Sequence, residues 1–227
     1  MVQVALDMKE TWPDTLAAGR SLQERLGTRV RIVPFGKPPE KIVGVDAAFA
    51  GSYIIAVASM YRYSSLEHLE DAVNGEKTEF PYVPCYLAFR EGHAIVLAVK
   101  KLKTRPDLIL VDGHGIAHPR GFGIASHIGV LFDVPTVGCA KSRLIGEFVE
   151  PGKRKGDWTY LSYRGRNVGA VLRTREDVKP VFVSPGHMID IPSAIGVVMH
   201  CVSRYRVPDP LRCADHLSKQ FSKAISG

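Results

Sequence analysis

The chain has 227 residues, of which 45% are hydrophobic, and 30 Lys+Arg against 23 Asp+Glu give a formal charge of +7. Such a length and apolar content allow a full buried core in one α/β domain spanning residues 1–227, with no need of disulfide staples. Met1 to Arg20 mixes polar, acidic and apolar residues instead of presenting a secretory signal, and no apolar run is long enough to span a bilayer, so a cytoplasmic, membrane-free protein is expected.

Taken in order, Trp12 to Leu26 predicts an amphipathic helix with Leu16, Leu22 and Leu26 on one side and Gly27 as its stop. Ile42 to Phe49 predicts a strand, Gly51-Ser52 a turn, and Tyr53 to Tyr63 the returning strand of a hairpin. Leu66 to Val73 extends this to an antiparallel meander, closed by Asn74-Gly75. Phe80-Pro81-Tyr82-Val83-Pro84 holds two prolines, which fix φ and remove donors, and predicts a rigid exposed loop. Tyr86 to Leu102 has helical periodicity, kinked near Gly92 and carrying Glu91.

Leu108 to Val111 is a short, continuously apolar run, the pattern of a strand buried on both faces. It ends at Asp112 and passes into Gly113-His114-Gly115-Ile116-Ala117-His118-Pro119-Arg120, where glycines admit close approach. Phe122 to Phe132 predicts a crossover helix and Thr136 to Ala140 the next parallel strand. Lys141-Ser142-Arg143 then emerges on the same side of the sheet as Asp112. Gly152 to Asp157 reads as a basic, flexible loop. Trp158 to Tyr163 and Val168 to Thr174 form a hairpin about Arg164-Gly165, Val181 to Val183 a further strand, and Ser184 to His187 a turn. Two helices, Ile191 to Val202 and Asp209 to Ile225, complete a mixed sheet flanked by helices. The cysteines Cys85, Cys139, Cys201 and Cys213 have no metal spacing and read as reduced thiols. The positive charge suits a polyanionic partner.

The candidate chemistry lies in separated acids. Asp46 interrupts an apolar strand, where an unpaired charge costs several kcal/mol; it is either paired with a cation or a metal ligand. Asp112, Glu91 and Asp215 could join it, and the alternative for Asp215 is a solvated helix acid. Several carboxylates suit Mg²⁺ or Mn²⁺ better than Zn²⁺. His114 and His118 suggest zinc, but the glycines around them argue against an aligning helix. Ser184, His187 and Asp190 suggest a hydrolase triad, but Ser184 has no nucleophile elbow. His127 and His187 read as structural.

Taken together, Val43-Gly44-Val45-Asp46, Phe80 to Pro84, Leu87-Ala88-Phe89-Arg90-Glu91, Val111 to Gly115 through Arg120, Gly123 to His127, Gly138 to Leu144, Phe182 to His187 and Pro208 to Asp215 resemble the endonuclease V family. The resemblance implies a ribonuclease H-like α/β fold, with three antiparallel strands followed by parallel ones. It also implies an endonuclease that cuts at the second phosphodiester 3′ to inosine in DNA repair. By matching positions, Asp46, Glu91 and Asp112 would be catalytic metal ligands, Asp215 would support a metal or the attacking water, and Lys141 would contact the phosphate. Pro81, Tyr82, Val83 and Pro84 would form a wedge, with the tyrosine replacing a displaced base. Gly113, His118, Ile124, Gly138, Ala140, Ser142 and Leu144 would form the hypoxanthine pocket.

Mg²⁺, replaceable by Mn²⁺, is the implied cofactor, and inosine-containing DNA, with RNA left open, the partner of a monomer. The chain departs from the family at His114, where bacterial members commonly have glutamine, and at Cys85, where glycine is often found. Two other readings stand beside this one: a ribonuclease H-like nuclease for branched or RNA-containing substrates, and a non-catalytic nucleic-acid-binding module.

Overall fold

Leu108, Ile109, Leu110 and Val111 are all fully buried, and the strand they form lies inside an eight-stranded mixed sheet. Apolar side chains on both faces need cover on both. The computed structural model, which describes residues 2–3, 12–78 and 80–226, provides that cover with helices on each side. The elements are α1 (Leu16–Gly27), β1 (Lys41–Ala50), β2 (Tyr53–Arg62), β3 (Glu67–Lys77), α2 (Leu87–Lys100), β4 (Leu108–Val111), α3 (Ile124–Phe132), β5 (Thr136–Ala140), β6 (Trp158–Tyr163), β7 (Arg166–Leu172), β8 (Val181–His187), α4 (Ile191–His200) and α5 (Asp209–Ser226).

The strand order is β3-β2-β1-β4-β5-β8-β7-β6. β1, β2 and β3 form the expected antiparallel meander, and β4 and β5 run parallel to β1. β8 returns antiparallel beside β5 and is extended by the β6–β7 hairpin. Alternation divides the core. Val43, Val45, Ile109 and Val111 pack toward α2 and α3, whereas Ile42, Leu108 and Leu110 pack toward α4 and the start of α5. By the two-residue period of a strand, Gly44, Asp46 and Asp112 fall in the second series. A Cβ on Gly44 would stand 2.2 Å from the Pro210 carbonyl carbon. Only glycine lets the first turn of α5 lie directly on β1.

Several sequence expectations are corrected. α1 begins at Leu16 because the Thr15 hydroxyl accepts from the Ala18 N–H at 3.2 Å. Trp12 precedes the helix and stacks on His127, while Leu16 is 42% exposed instead of sharing the buried side of Leu22 and Leu26. Asn74 and Gly75 do not close β3 but lie within it, opposite Ala56 and Ile55. The Asn74 side chain finds partners in Lys101 and Glu76 without a turn. α2 runs unbroken through Gly92. The glycine makes room for Trp12, whose ring would be 3.0 Å from a Cβ there.

Ser184 to His187 continues β8, and Pro185 is accommodated where the register against β5 shifts between Thr136 and Val137. The loop from Gly152 to Asp157 is tied down by the nearly buried Arg173, whose guanidinium donates to the carbonyls of Gly152 and Pro151. Among the described residues, no helix is long and apolar enough to cross a membrane.

Candidate active site

β1 and β4 are in parallel register with Val45 beside Val111. The next residue of each, Asp46 and Asp112, therefore leaves the shared ladder together, and the Asp112 N–H donates to the Val45 carbonyl at 3.2 Å. β1 continues past this point, paired only with β2. Asp215 arrives from α5, which Gly44 holds against the strand. One carboxylate oxygen from each of Asp46, Asp112 and Asp215 lies within 4.8 Å of the others. Glu91 is not a member of that set. It lies on α2, which packs on the other face of the sheet, and it feels the charges of Asp46 and Asp112.

The electrostatics of the cluster follow from gathering acids in a half-buried place. Burial, reinforced by the charges of Asp112 and Asp215, raises the pKa of Asp46 to about 7. Burial, with Asp46 and Asp112 adding repulsion, raises that of Glu91 to about 8. Two ammonium groups counter this charge. Lys141 Nζ donates to Asp112 Oδ2 at 2.6 Å and to Asp215 Oδ1 at 3.0 Å. Lys219 Nζ donates to both Asp215 oxygens at 2.7 Å. Burial pushes the Asp215 pKa upward, but the hydrogen bonds from Lys219 and Lys141 outweigh it and hold the carboxyl below its usual range. The same carboxylates outweigh the effect of burial on Lys141 and keep its ammonium protonated.

This donor set fits a hard divalent cation: carboxylate oxygens from three elements converge, and burial and mutual repulsion raise Asp46 and Glu91 despite the nearby charges of Lys141 and Arg90. Lys219 was absent from the sequence reading, although its i,i+4 spacing from Asp215 was the available signal.

Beside the acids opens a cavity of about 370 Å³. Asp112, Gly113, His114, His118, Ile124, Ala140, Lys141, Ser142 and Leu144 line it, and Tyr82, Val83 and Pro84 reach it from the other side. Two residues singled out from the sequence are not in the lining. Pro81 stands outside, and Gly138 lies behind the wall. A Cβ on Gly138 would be 2.5 Å from the Gly113 carbonyl oxygen, so its hydrogen lets the β4–α3 turn pack on β5. His114 Nε2 meets the Ser142 carbonyl at 3.1 Å, bridging the two sides of the cavity. Burial lowers its pKa, and that of His118 to about 4, so both rings are neutral.

The proline-bearing loop is exposed at its tip, with Tyr82 at 70%, and anchored at its ends. Arg90 donates to the Phe80 carbonyl at 2.7 Å. At the other end the Cys85 carbonyl meets Gln23, His118 and Arg120 at 3.0, 3.0 and 2.9 Å. Cys85 has φ +69°, the left-handed conformation that glycine adopts freely. The cysteine must tolerate that backbone geometry.

The alternative chemistries do not assemble. His114 and His118 turn to different carbonyls, and neither belongs to a metal-ligand cluster among the described residues. Ser184 Oγ accepts from the Gly115 N–H, Asp190 caps α4, and His187 lies by Asp133, so no triad forms. His127 is fully buried among Trp12, Phe89 and Phe122, with its pKa lowered to about 3 by burial.

Converging acids beside a concave pocket, on a mixed sheet in a basic chain, define a hydrolase acting on nucleic acid. Residues 24–216 match the family model of endonuclease V, and the chain belongs to that family of endonucleases. It is 46% identical over 209 residues to endonuclease V of Roseiflexus sp. (strain RS-1), covering 92% of this chain and 94% of that one. The crystal structure of endonuclease V from Streptomyces avermitilis superposes with a TM-score of 0.90 at 37% identity, covering 95% of this chain and 96% of that one. A Ciona intestinalis endonuclease V in complex with a 24-mer DNA containing an inosine followed by a ribo-adenosine gives a TM-score of 0.80 at 26% identity. That match covers 94% of this chain and all of the other.

Proposed function

We propose that the protein nicks inosine-containing nucleic acid at the second phosphodiester 3′ to the deaminated base, with Mg²⁺ as the cofactor. The observation that carries this reading is the meeting of Asp46, Asp112 and Asp215 oxygens within 4.8 Å, with Asp112 itself also lining the cavity. Asp46, Asp112 and Asp215, with Glu91 closing the cluster from α2, would hold the divalent ion. When bound, the metal supplies an activated water and stabilises the leaving oxygen.

The chain's own groups do the rest. Lys141, held between Asp112 and Asp215, is the cation a scissile phosphate meets at this edge. Tyr82, on a loop whose two ends are pinned, enters the stack where the lesion leaves it. Flipping a base out costs a few kcal/mol, and stacking on an aromatic ring returns about 1–3 kcal/mol. Gly113, His118, Ile124, Ala140, Ser142 and Leu144 surround the hypoxanthine, and Gly138 supports their wall. The neutral rings of His114 and His118 add no repulsive or attractive charge, so a polar, uncharged base is the ligand they suit. Asp112 serves both the metal and the pocket, which fixes the distance from lesion to cut.

Asp112→Ala, tested for nicking in Mg²⁺ and for binding by gel shift, is the direct check. Nicking of an inosine duplex is expected to vanish while binding persists. Cleavage at the normal rate would refute the carboxylate assignment.

A further inference from the structure

A second group of candidate ligands among the described residues shares no member with the acid cluster. His68 and Asp71 on β3 and Cys213 on α5 each place one ligand atom within 4.8 Å of the others. In a regular strand, residues three apart face opposite sides. Here the β2–β3 register shifts: Asp71 lies opposite Ser59, Glu70 opposite Met60, and His68 opposite Tyr61. Leu69 is left without a partner, a bulge that inserts one residue and turns His68 to the side of Asp71.

Ser59 and Tyr61, two apart on β2, occupy that same side. The Ser59 hydroxyl donates to Asp71, and the Tyr61 ring meets the His68 ring edge-on at 5.2 Å. The Tyr61 hydroxyl lies near Cys213 of α5. His68 Nε2 stands 3.0 Å from Asp71 Oδ1.

We propose that His68, Asp71 and Cys213 form a second metal site, for a borderline cation of the Zn²⁺ type, with the fourth position open to water. One thiolate, one imidazole and one carboxylate are a donor set that selects Zn²⁺ over Mg²⁺. The thiol gives its proton to solvent on binding. Ser59 donates to one of the three ligands and orients it, as outer partners do at metal sites. The ligands join the sheet's edge strand to the helix that carries Asp215, two residues beyond Cys213. Sequence spacing could not reveal the site, because Cys213 is distant in the chain and the two β3 ligands share a side only through the bulge.

The test titrates the chelator-stripped full chain with Co²⁺ in excess Mg²⁺. One equivalent is expected to bind with a thiolate-to-cobalt charge-transfer band in the near ultraviolet, and Zn²⁺ should bleach it. Cys213→Ser should abolish the band, His68→Gln should weaken Co²⁺ binding at least about tenfold, and Cys85→Ser should leave the band in place. Should Cys213→Ser fail to fold, His68→Gln, at a half-exposed position on the edge strand, carries the test. Absence of the band in the unmutated protein, its survival in Cys213→Ser, or undiminished Co²⁺ affinity in His68→Gln would overturn the proposal.

Discussion

Replacing Asp46 by asparagine should stabilise the metal-free protein while destroying its activity. The fold holds the Asp46 carboxyl at a pKa of about 7 against its ordinary 3.8, chiefly through burial. A carboxyl whose pKa is raised keeps in the fold a proton that the unfolded chain has released. Stability is therefore lost as pH rises from about 4 through about 7, and the loss is complete by pH 8. At 1.36 kcal/mol per unit, a shift of that size corresponds to about 4 kcal/mol. Sharing of protons with Glu91, Asp112 and Asp215 reduces it, giving on the order of 2–4 kcal/mol. Asparagine has the same shape and no charge, so it escapes this cost. Urea unfolding of the chelator-stripped protein at pH 8 should show Asp46→Asn more stable by that amount, with the difference shrinking toward pH 4. Mg²⁺ should stabilise the unmutated protein more than the variant. A variant equal to or weaker than the parent at pH 8 would refute the electrostatic account of the cluster.

Two further outcomes follow from the pocket's rim. Tyr82→Ala removes a side chain that is 70% exposed and touches little of its own protein, so folding stability should be unchanged. Affinity for an inosine duplex over an adenine one should fall roughly 5- to 150-fold, the equivalent of about 1–3 kcal/mol of stacking, with a smaller effect on single-turnover cleavage; equal affinity in parent and variant would count against the wedge. Cys85→Gly relieves a non-glycine residue at φ +69° and should raise unfolding stability by about 1 kcal/mol, measured by urea denaturation; a loss of stability would mean that the cysteine side chain contributes more than its backbone strain removes.

Much of the fold was legible because its central elements obey simple periods. The unbroken apolar run Leu108 to Val111 is a strand covered on both faces, and Asp46 was conspicuous as a charge in such a strand. The helix carrying Asp215 was also readable, but not its placement on β1, which depends on a missing Cβ at Gly44. Local signals failed where a tertiary partner decided the matter. Asn74-Gly75 has turn chemistry, yet the full-length pairing with β2 continues through it. Pro185 should end a strand, yet a register shift in β5 accommodates it. Gly92 suggested a kink and instead seats Trp12. In the site, the acids were found from their setting, whereas Lys219 was missed because an exposed lysine on a helix is unremarkable without the acid one turn earlier. Gly138 matched the pocket by position but acts from behind its wall. The pairing of His68 with Asp71 depends on a bulge at Leu69, which no alternation pattern announces.

The central claim is that the carboxylates and the pocket fix a cut at a set distance from a deaminated base. It is tested most directly by mapping the products of the protein on matched strands, inosine against adenine, as DNA and as RNA, with and without Mg²⁺. The account predicts a single Mg²⁺-dependent nick at the second phosphodiester 3′ to inosine and no cut in the adenine strand. Cleavage that ignores inosine, falls at scattered bonds, or proceeds unchanged in a chelator would contradict it.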